Sequence, residues 1–447
     1  MAKRLLTAGF SWRAGLRLAV VIAPLCLSAN GYALSGLLSL RHHKAPDQTQ
    51  APNKPTNSSQ PPAFSIPVEP LGFFAPGAFY QGLRISLVSL DFIDENRLLF
   101  TFRTPGLIRR AAVGEDDERE IRALVLTLPK GTVEAEALWT LHDHGRYLWM
   151  LHDGHFLLRD RDNLEEGDAT LALKPLLHFP GPLLWMEMDP AQQFLVTDSH
   201  EPEASSSSSG EVPSPATAAA DVTSDGEDPA GKPDIVVRIL RRSSGQVLLI
   251  SHVRTTVHLP VNSDGYLEAL RSSGRDWVLN MNYFTGGSRI LGRMESACMP
   301  AMEFISPQQV LASTCGAGGG RGLVAMSTEG RRLWSVPTAP TQVWPLLVMA
   351  PNGSRLALET LTVPHPVEAF SPLNFDEVKS QLVEVYDAAS AKLALKTSVS
   401  PVLDGGGNLA ISPSGKRVAV LDAGAIQVYE LASPPTMPES DIKHSAP

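Results

Sequence analysis

The chain holds only three cysteines, and no two of them stand as Cys-x-x-Cys, so no zinc ribbon or dithiol redox motif can be read from it. It also lacks a Gly-x-Ser-x-Gly elbow, a His-Glu-x-x-His pair and a P-loop, which removes the hydrolases and nucleotide-binding proteins that announce themselves by motif. Positive charge is in deficit: 38 Lys and Arg face 47 Asp and Glu, for a formal net charge of −9. A body of that sign is a poor partner for nucleic acid or an anionic membrane surface. Helical periodicity is hard to find after residue 64. No single motif states a chemistry, so the organisation of the chain carries the reading.

What is abundant is turn chemistry. With 36 Pro and 35 Gly in a chain that is 43% hydrophobic and 19% charged, there is material for one large core cut by many turns. The segment Ile411–Leu431, ISPSGKRVAVLDAGAIQVYEL, reads as three strands and two turns. Pro413 presets φ and Gly415 permits φ > 0 in the first turn, and Asp422-Ala423-Gly424 makes the second. The phrase recurs as MAPNGSRLAL from Met349, where Pro351, Gly353 and Arg355 match Pro413, Gly415 and Arg417. Looser copies are LRSSGRDWVL from Leu270, MDPAQQFLV from Met188, ISPQQVLA from Ile305, LHDHGRYLWM from Leu141 and FIDENRLLF from Phe92. Their turns fall near residues 94, 143, 190, 272, 307, 351 and 413. Several are followed by a second pair of alternating strands, most clearly VVRILRRSSGQVLLI, Val236–Ile250. A repeat of roughly 40 to 50 residues with several strands per unit predicts an all-β, single β-propeller of antiparallel four-stranded blades. Seven blades fit the seven copies, six remain as the alternative, and an irregular β-sandwich is the competing fold.

These phrases resemble the inner hairpins of the WD-repeat, YVTN and TolB-like propeller superfamily, over about residues 64–433. The chain also resembles a group of secreted bacterial propellers. It departs from orthodox WD repeats in having no Trp-Asp blade ending and only one Gly-His pair, Gly154-His155. The resemblance implies a fold and transfers no activity.

The predicted domain plan is a signal peptide or signal anchor at 1–33, a disordered tether at 34–63, the propeller at 64–433 with a disordered insert at 201–233, and a disordered tail at 434–447. Lys3, Arg4, Arg13 and Arg17 precede the apolar run Leu18–Leu27, and Gly31-Tyr32-Ala33 offers small residues for a signal peptidase. Uncleaved, Leu18–Leu40 carries no charge and is long enough to span a bilayer. Either outcome places the propeller outside the cytoplasm, periplasmic or secreted. The insert is a Ser/Ala/Pro/acid tract with nothing to bury, and the Pro/Gln/Asn-rich tether likewise has almost no apolar content. The final strand ends at Leu431 without an outer partner, so FSIPVEPLGFF, Phe64–Phe74, is expected to pair with the last unit and close the ring.

Few residues stand out for chemistry. His142, His144, His152 and His155, interleaved with Asp143 and Asp153, form the sole ligand-like cluster, and His-x-His on a strand suits Zn or Cu. Both pairs fall at polar turns, where His, Asp and Gly are ordinary, so no metal is assigned to them. Cys298 and Cys315 flank the hairpin PAMEFISPQQVLAST nearly opposite one another, and an export compartment permits a disulfide between them. The run GAGGGRG, Gly316–Gly322, has Arg321 where a dinucleotide fingerprint needs glycine, and reads as a turn between strands. Gly330 and Trp334 match the Gly-x-x-x-Trp closure of quinoprotein blades, but only once. The reading is therefore a monomeric, non-catalytic binding or scaffold module without a cofactor, its partner a protein or another extracytoplasmic ligand. The alternative is an extracytoplasmic quinoprotein-like or metal-dependent propeller enzyme.

Overall fold

The computed structural model describes residues 60–73, 88–104, 118–142, 146–201, 235–316, 320–368, 377–400, 402 and 407–433. The proposed signal region, most of the tether, nearly all of the insert and the C-terminal tail lie outside them. Short apolar strands broken by Pro and Gly turns bury one another as antiparallel ladders, and here they form seven sheets. The first strand among the described residues, β1 (Phe64–Pro67), belongs to the last sheet. Blade 1 is β2 (Val88–Asp94), β3 (Arg97–Arg103), β4 (Arg119–Thr127) and β5 (Thr132–Leu141). Blade 2 is β6 (Leu148–Met150), β7 (Phe156–Asp160), β8 (Asn163–Gly167) and β9 (Leu173–His178). Blade 3 is β10 (Leu183–Met188), β11 (Phe194–His200), β12 (Ile235–Arg241) and β13 (Val247–Val253). Blade 4 contains β14 (Gly265–Ser273), β15 (Asp276–Tyr283) and β16 (Ser288–Glu295). Blade 5 is β17 (Ala301–Ser306), β18 (Gln309–Cys315), β19 (Arg321–Ser327) and β20 (Arg332–Pro337). Blade 6 is β21 (Gln342–Met349), β22 (Arg355–Thr362), β23 (Ser380–Asp387) and β24 (Leu393–Val399). Blade 7 is β25 (Leu409–Ile411), β26 (Arg417–Asp422) and β27 (Ala425–Glu430), completed by β1. The expected all-β propeller is present, with seven blades rather than six.

Within each blade the strands pair in chain order. First strands of neighbouring blades touch, β2 with β6 and β25, and β21 with β25, so the first strand, A, is innermost and the fourth, D, outermost. The core is a ring of clusters between blades. Blade 7 meets blade 1 through Ile66, Ile426 and Val428 against Phe100, Phe102 and Leu124. Phe73, just past β1, sits edge-on to Phe100 and Phe102 at 5.5 and 5.4 Å. The ring closes where expected, but through Phe64–Pro67 alone and not the whole of 64–74: Phe64 faces Val428 and Ile66 faces Ile426 in antiparallel register, and Glu69–Leu71 is a 3-10 turn.

Two expected copies of the repeated phrase are displaced. In blade 2 the innermost hairpin is β6–β7, turning over residues 151–155, not near 143. His-Asp-x-Gly is nearly repeated ten residues apart, and its first occurrence follows β5, the D strand of blade 1. In blade 4 the turn at Gly274 is not the innermost one. A chain that begins every blade at the same face must cross an even number of strands, and three would leave it at the wrong face for the short link to β17. The missing crossing is Pro260–Asn262, where Val261 bridges Tyr266 and the Leu267 N–H donates to the Pro260 carbonyl at 2.8 Å. Asn262 Oδ1 accepts from the N–H groups of Asp264 and Gly265, closing the tight turn. The innermost hairpin of blade 4 is thus LPVNSDGYLEAL, and the apparent short blade between residues 272 and 307 disappears.

Antiparallel order puts A–B and C–D turns on one face of the ring and B–C turns and D–A connections on the other. The A–B face carries only tight turns, none longer than 151–155 or 168–172. The B–C face carries every long connection: 68–87, 104–118, 201–234, 363–379 and 400–408. The chain enters β1 and leaves β27 at the A–B face, where the Leu431 N–H donates to the Lys416 carbonyl at 2.7 Å.

Candidate functional site

The histidines singled out in the sequence do not converge. His142, after β5 at the B–C face, lies with Nδ1 3.1 Å from Asp160 Oδ2, and its backbone N–H donates to Asp160 Oδ1 at 2.7 Å. His152 and His155 lie at the other end of β7, in the A–B turn. His155 Nδ1 is 2.8 Å from Glu166 Oε1, while the His152 N–H donates to Gln192 Oε1 at 2.6 Å and burial depresses the basicity of its ring. His144 lies outside the described residues. Among the described residues no three His, Cys, Asp or Glu side chains are placed to hold one metal ion. These histidines pin turns to neighbouring strands.

Trp334 Nε1 donates to the Ala388 carbonyl of the next blade at 2.8 Å, so its indole ties blade 5 to blade 6. Gly330 has φ 89°, and a Cβ there would lie 2.2 Å from the Leu291 carbonyl oxygen. Both residues serve the contact between blades. Cys298 and Cys315 are joined, with Cα atoms 5.5 Å apart, beside the hydrogen bond from the Ala297 N–H to the Cys315 carbonyl.

The residues that do converge were not singled out in the sequence. On innermost strands, apolar neighbours pack into the gaps between blades and turn the intervening side chain toward the central channel. Leu90-Asp91-Phe92, Met186-Glu187-Met188 and Met302-Glu303-Phe304 each put an acid there. Val257-His258-Leu259, leading into the short inner strand of blade 4, does the same with a base, and Arg146 joins them from the connection before β6. An acid flanked by two large apolar residues on a first strand is the signal that could have found this set.

His258 is held from three sides. Its Nδ1 meets Glu187 Oε2 at 2.6 Å, its Nε2 meets the Met302 carbonyl at 2.5 Å, and the Trp185 ring stands edge-on at 6.3 Å. The other Glu187 oxygen accepts from the Leu259 N–H at 3.1 Å. Burial works against protonation of His258, but Glu187, Glu303 and the Met302 carbonyl outweigh it and raise its pKa to about 9. Burial raises Glu303 to about 7, against the pull of His258 and Arg146 and with the help of Glu187. Asp91 is likewise raised by burial, opposed by its bond from Ser89 and by Arg146. Asp198, beside His258, is raised to about 6 by burial although its Oδ2 accepts from the Val257 N–H. Arg146 is exposed and Glu303 half-buried, and desolvation lowers the basicity of the first as it raises the second. Trp185, 46% exposed, adds an apolar surface beside these charges. The arrangement offers paired charge and an aromatic edge to whatever reaches the channel, with a carboxyl half-titrated near neutral pH.

Seven antiparallel blades closed by an N-terminal strand define a seven-bladed β-propeller. No protein-family model and no curated protein matches the chain. Among solved structures it is similar to the acylaminoacyl peptidase of Pyrococcus horikoshii, with 9% identity and a TM-score of 0.45 over 78% of this chain and 52% of that one. It is also similar to Kuenenia stuttgartiensis hydrazine synthase, with 15% identity and a TM-score of 0.37 over 62% of this chain and 73% of that one. Kluyveromyces lactis Hsv2 follows, with 11% identity and a TM-score of 0.36 over 62% and 70% of the two chains. The chain spans about half the length of the peptidase. At these identities the similarity concerns fold alone, and the blade count rests on the strand order of this chain.

Proposed function

We propose that this propeller is a binding or scaffold module working outside the cytoplasm, and that its partner, a protein or another extracytoplasmic ligand, docks over the B–C face. The observation that carries the reading is the asymmetry of the ring: every long connection leaves one face, while the other has only tight turns. Turns that merely reverse a hairpin are short, and long surface connections are where binding residues concentrate. The basic residues and apolar run before residue 34 support export.

The test is a photo-crosslinking amino acid placed at Trp185 or Met299 near the B–C face, and at Ser263 or Lys416 on the A–B face, in cells making the full chain. Discrete adducts from the first two positions in the extracytoplasmic fraction support the reading. Adducts from the A–B positions alone, or protein retained in the cytoplasm, would sink it.

A further inference from the structure

Blades 4 and 5 part at the B–C face around a cavity of about 400 Å³. Its wall combines Arg275, from the β14–β15 turn, with Arg321, from the start of β19, and the glycines Gly316, Gly320 and Gly322. The cavity continues as a groove of about 640 Å³ between β16 and β19–β20, flanked by Arg293 and Arg332. Two arginines thus line the cavity and two more its groove, in a protein whose net charge is −9, and Glu295 is the carboxylate among the described lining residues.

Arg321 is the informative group. It is half-buried, burial lowers its basicity, and no neighbouring carboxylate offsets the loss. Its Nη1 donates to Cys315 Sγ at 3.5 Å, a weak acceptor for a charged donor. Arg275 is little better matched, 4.0 Å from Glu295, with both side chains largely exposed. A guanidinium taken partly out of water without a counter-charge is unfavourable, and its planar fork fits two oxygens of one anion. The glycines keep the space open. At Gly322 a Cβ would lie 3.0 Å from Thr314 Oγ1, and Gly320, at φ +81°, lies against Pro340. Of the Gly316–Gly322 run, residues 317–319 lie outside the described residues, and its described ends border this recess.

We propose that this recess is an oxyanion site, taking a phosphate or sulfate group between Arg321 and Arg275, with the body of any larger ligand extending along the groove toward Arg293 and Arg332. The site goes beyond the docking reading and does not depend on it.

The experiment is calorimetric titration of the full-length protein at low ionic strength with inorganic phosphate and, separately, with glycerol phosphate. Saturable binding is expected, weakened at least tenfold in Arg321→Gln and in Arg275→Gln, and unchanged in Lys416→Gln on the A–B face. Arg275 is mostly exposed, so its substitution leaves the fold intact and decides the matter should Arg321→Gln melt early. Tighter binding of glycerol phosphate that is lost in Arg293→Gln, two residues from the cavity-lining Glu295, would identify a phosphate carried on an organic body. Equal binding of both probes, indifferent to Arg293, would identify the free ion. Absence of saturable binding, or binding untouched in Arg275→Gln, would overturn the site.

Discussion

Arg417 on β26 donates through Nη1 to the main-chain carbonyl of Glu95, 2.7 Å away and 322 residues earlier in the chain. The bond crosses from the innermost turn of blade 7 to that of blade 1, and the Glu95 carboxylate returns it by accepting from the Ser414 N–H at 2.6 Å. Arg355 holds the same place in the phrase one blade earlier and reaches forward in the same way, to the Ala432 carbonyl at 2.5 Å. It also lies 2.9 Å from Asp387 in its own blade, with both side chains almost fully buried. The Pro-x-Gly-x-Arg turn therefore sets an arginine where it can lean on the next blade, which is why the residue recurs in the copies.

Closure by β1 predicts a large effect from a small strand. Ile66 is 3% exposed and packs between blade 7 and the Gly131 turn of blade 1, where a Cβ would come within 2.3 Å of it. Ile66→Ala is expected to remove about 2–5 kcal/mol, as large-to-small core substitutions do. Urea unfolding of the purified protein measures it, and a loss below about 1 kcal/mol would mean that β1 is not what holds the ends of the ring together.

The insert between β11 and β12 should be dispensable for folding. His200 faces Ile235 across the ladder, so a short turn can join the strands once residues 202–234 are removed. Glu201, which pairs with Arg238, is kept. Loop-closure entropy changes slowly with length, so a four-residue Gly/Asn turn should leave the melting temperature within about two degrees of the parent. A fall of about ten degrees would show that the tract packs on the ring.

Most of the architecture was legible because turn chemistry is local. Pro413 and Gly415 state their turn wherever they stand, and a last unit without an outer strand calls for one from elsewhere. Blade 4 was misread because its inner strand is three residues long, too short for alternation, although Asn262-Ser263-Asp264-Gly265 carries the turn. The channel set was missed because each acid lies in a different blade, and only ring closure brings them to one axis. The Arg275–Arg321 recess is a product of how two blades meet, and no spacing along the chain encodes it.

The channel charges predict that two positions lose stability as pH rises, over different ranges. The pKa of His258 rises from 6.5 to about 9 on folding, so its stabilising contribution is complete below about pH 6.5 and lost as pH rises through 9. His258→Gln should therefore cost stability at pH 6 and little at pH 10. The pKa of Glu303 rises from 4.5 to about 7, so folding favours its neutral form and its charge becomes a liability as pH climbs through that range. Glu303→Gln should raise the urea midpoint at pH 8 and leave it unchanged at pH 4. The same response at both pH values would show that the residue acts through packing, not charge.

The Cys298–Cys315 bridge tests redox state and local register together. The cysteines are 17 residues apart, and Ala301 faces Ser313 in the β17–β18 ladder, which brings position 315 opposite the segment that carries Cys298. Closing so short a loop restricts the unfolded chain by about 3 kcal/mol in the chain-entropy estimate. Cys315→Ser should therefore lower stability by up to about that amount, while the other inter-blade clusters keep the ring folded. Cys315 is 4% exposed, so part of any loss reflects serine placed in its buried site. Cys298→Ser, at a partly exposed position, separates the two effects: a similar loss in both variants assigns the stability to the bond. A peptide map of the protein without reductant should contain the 298–315 cross-linked pair. Two freely alkylated thiols at these positions would remove the bridge and with it this stability difference.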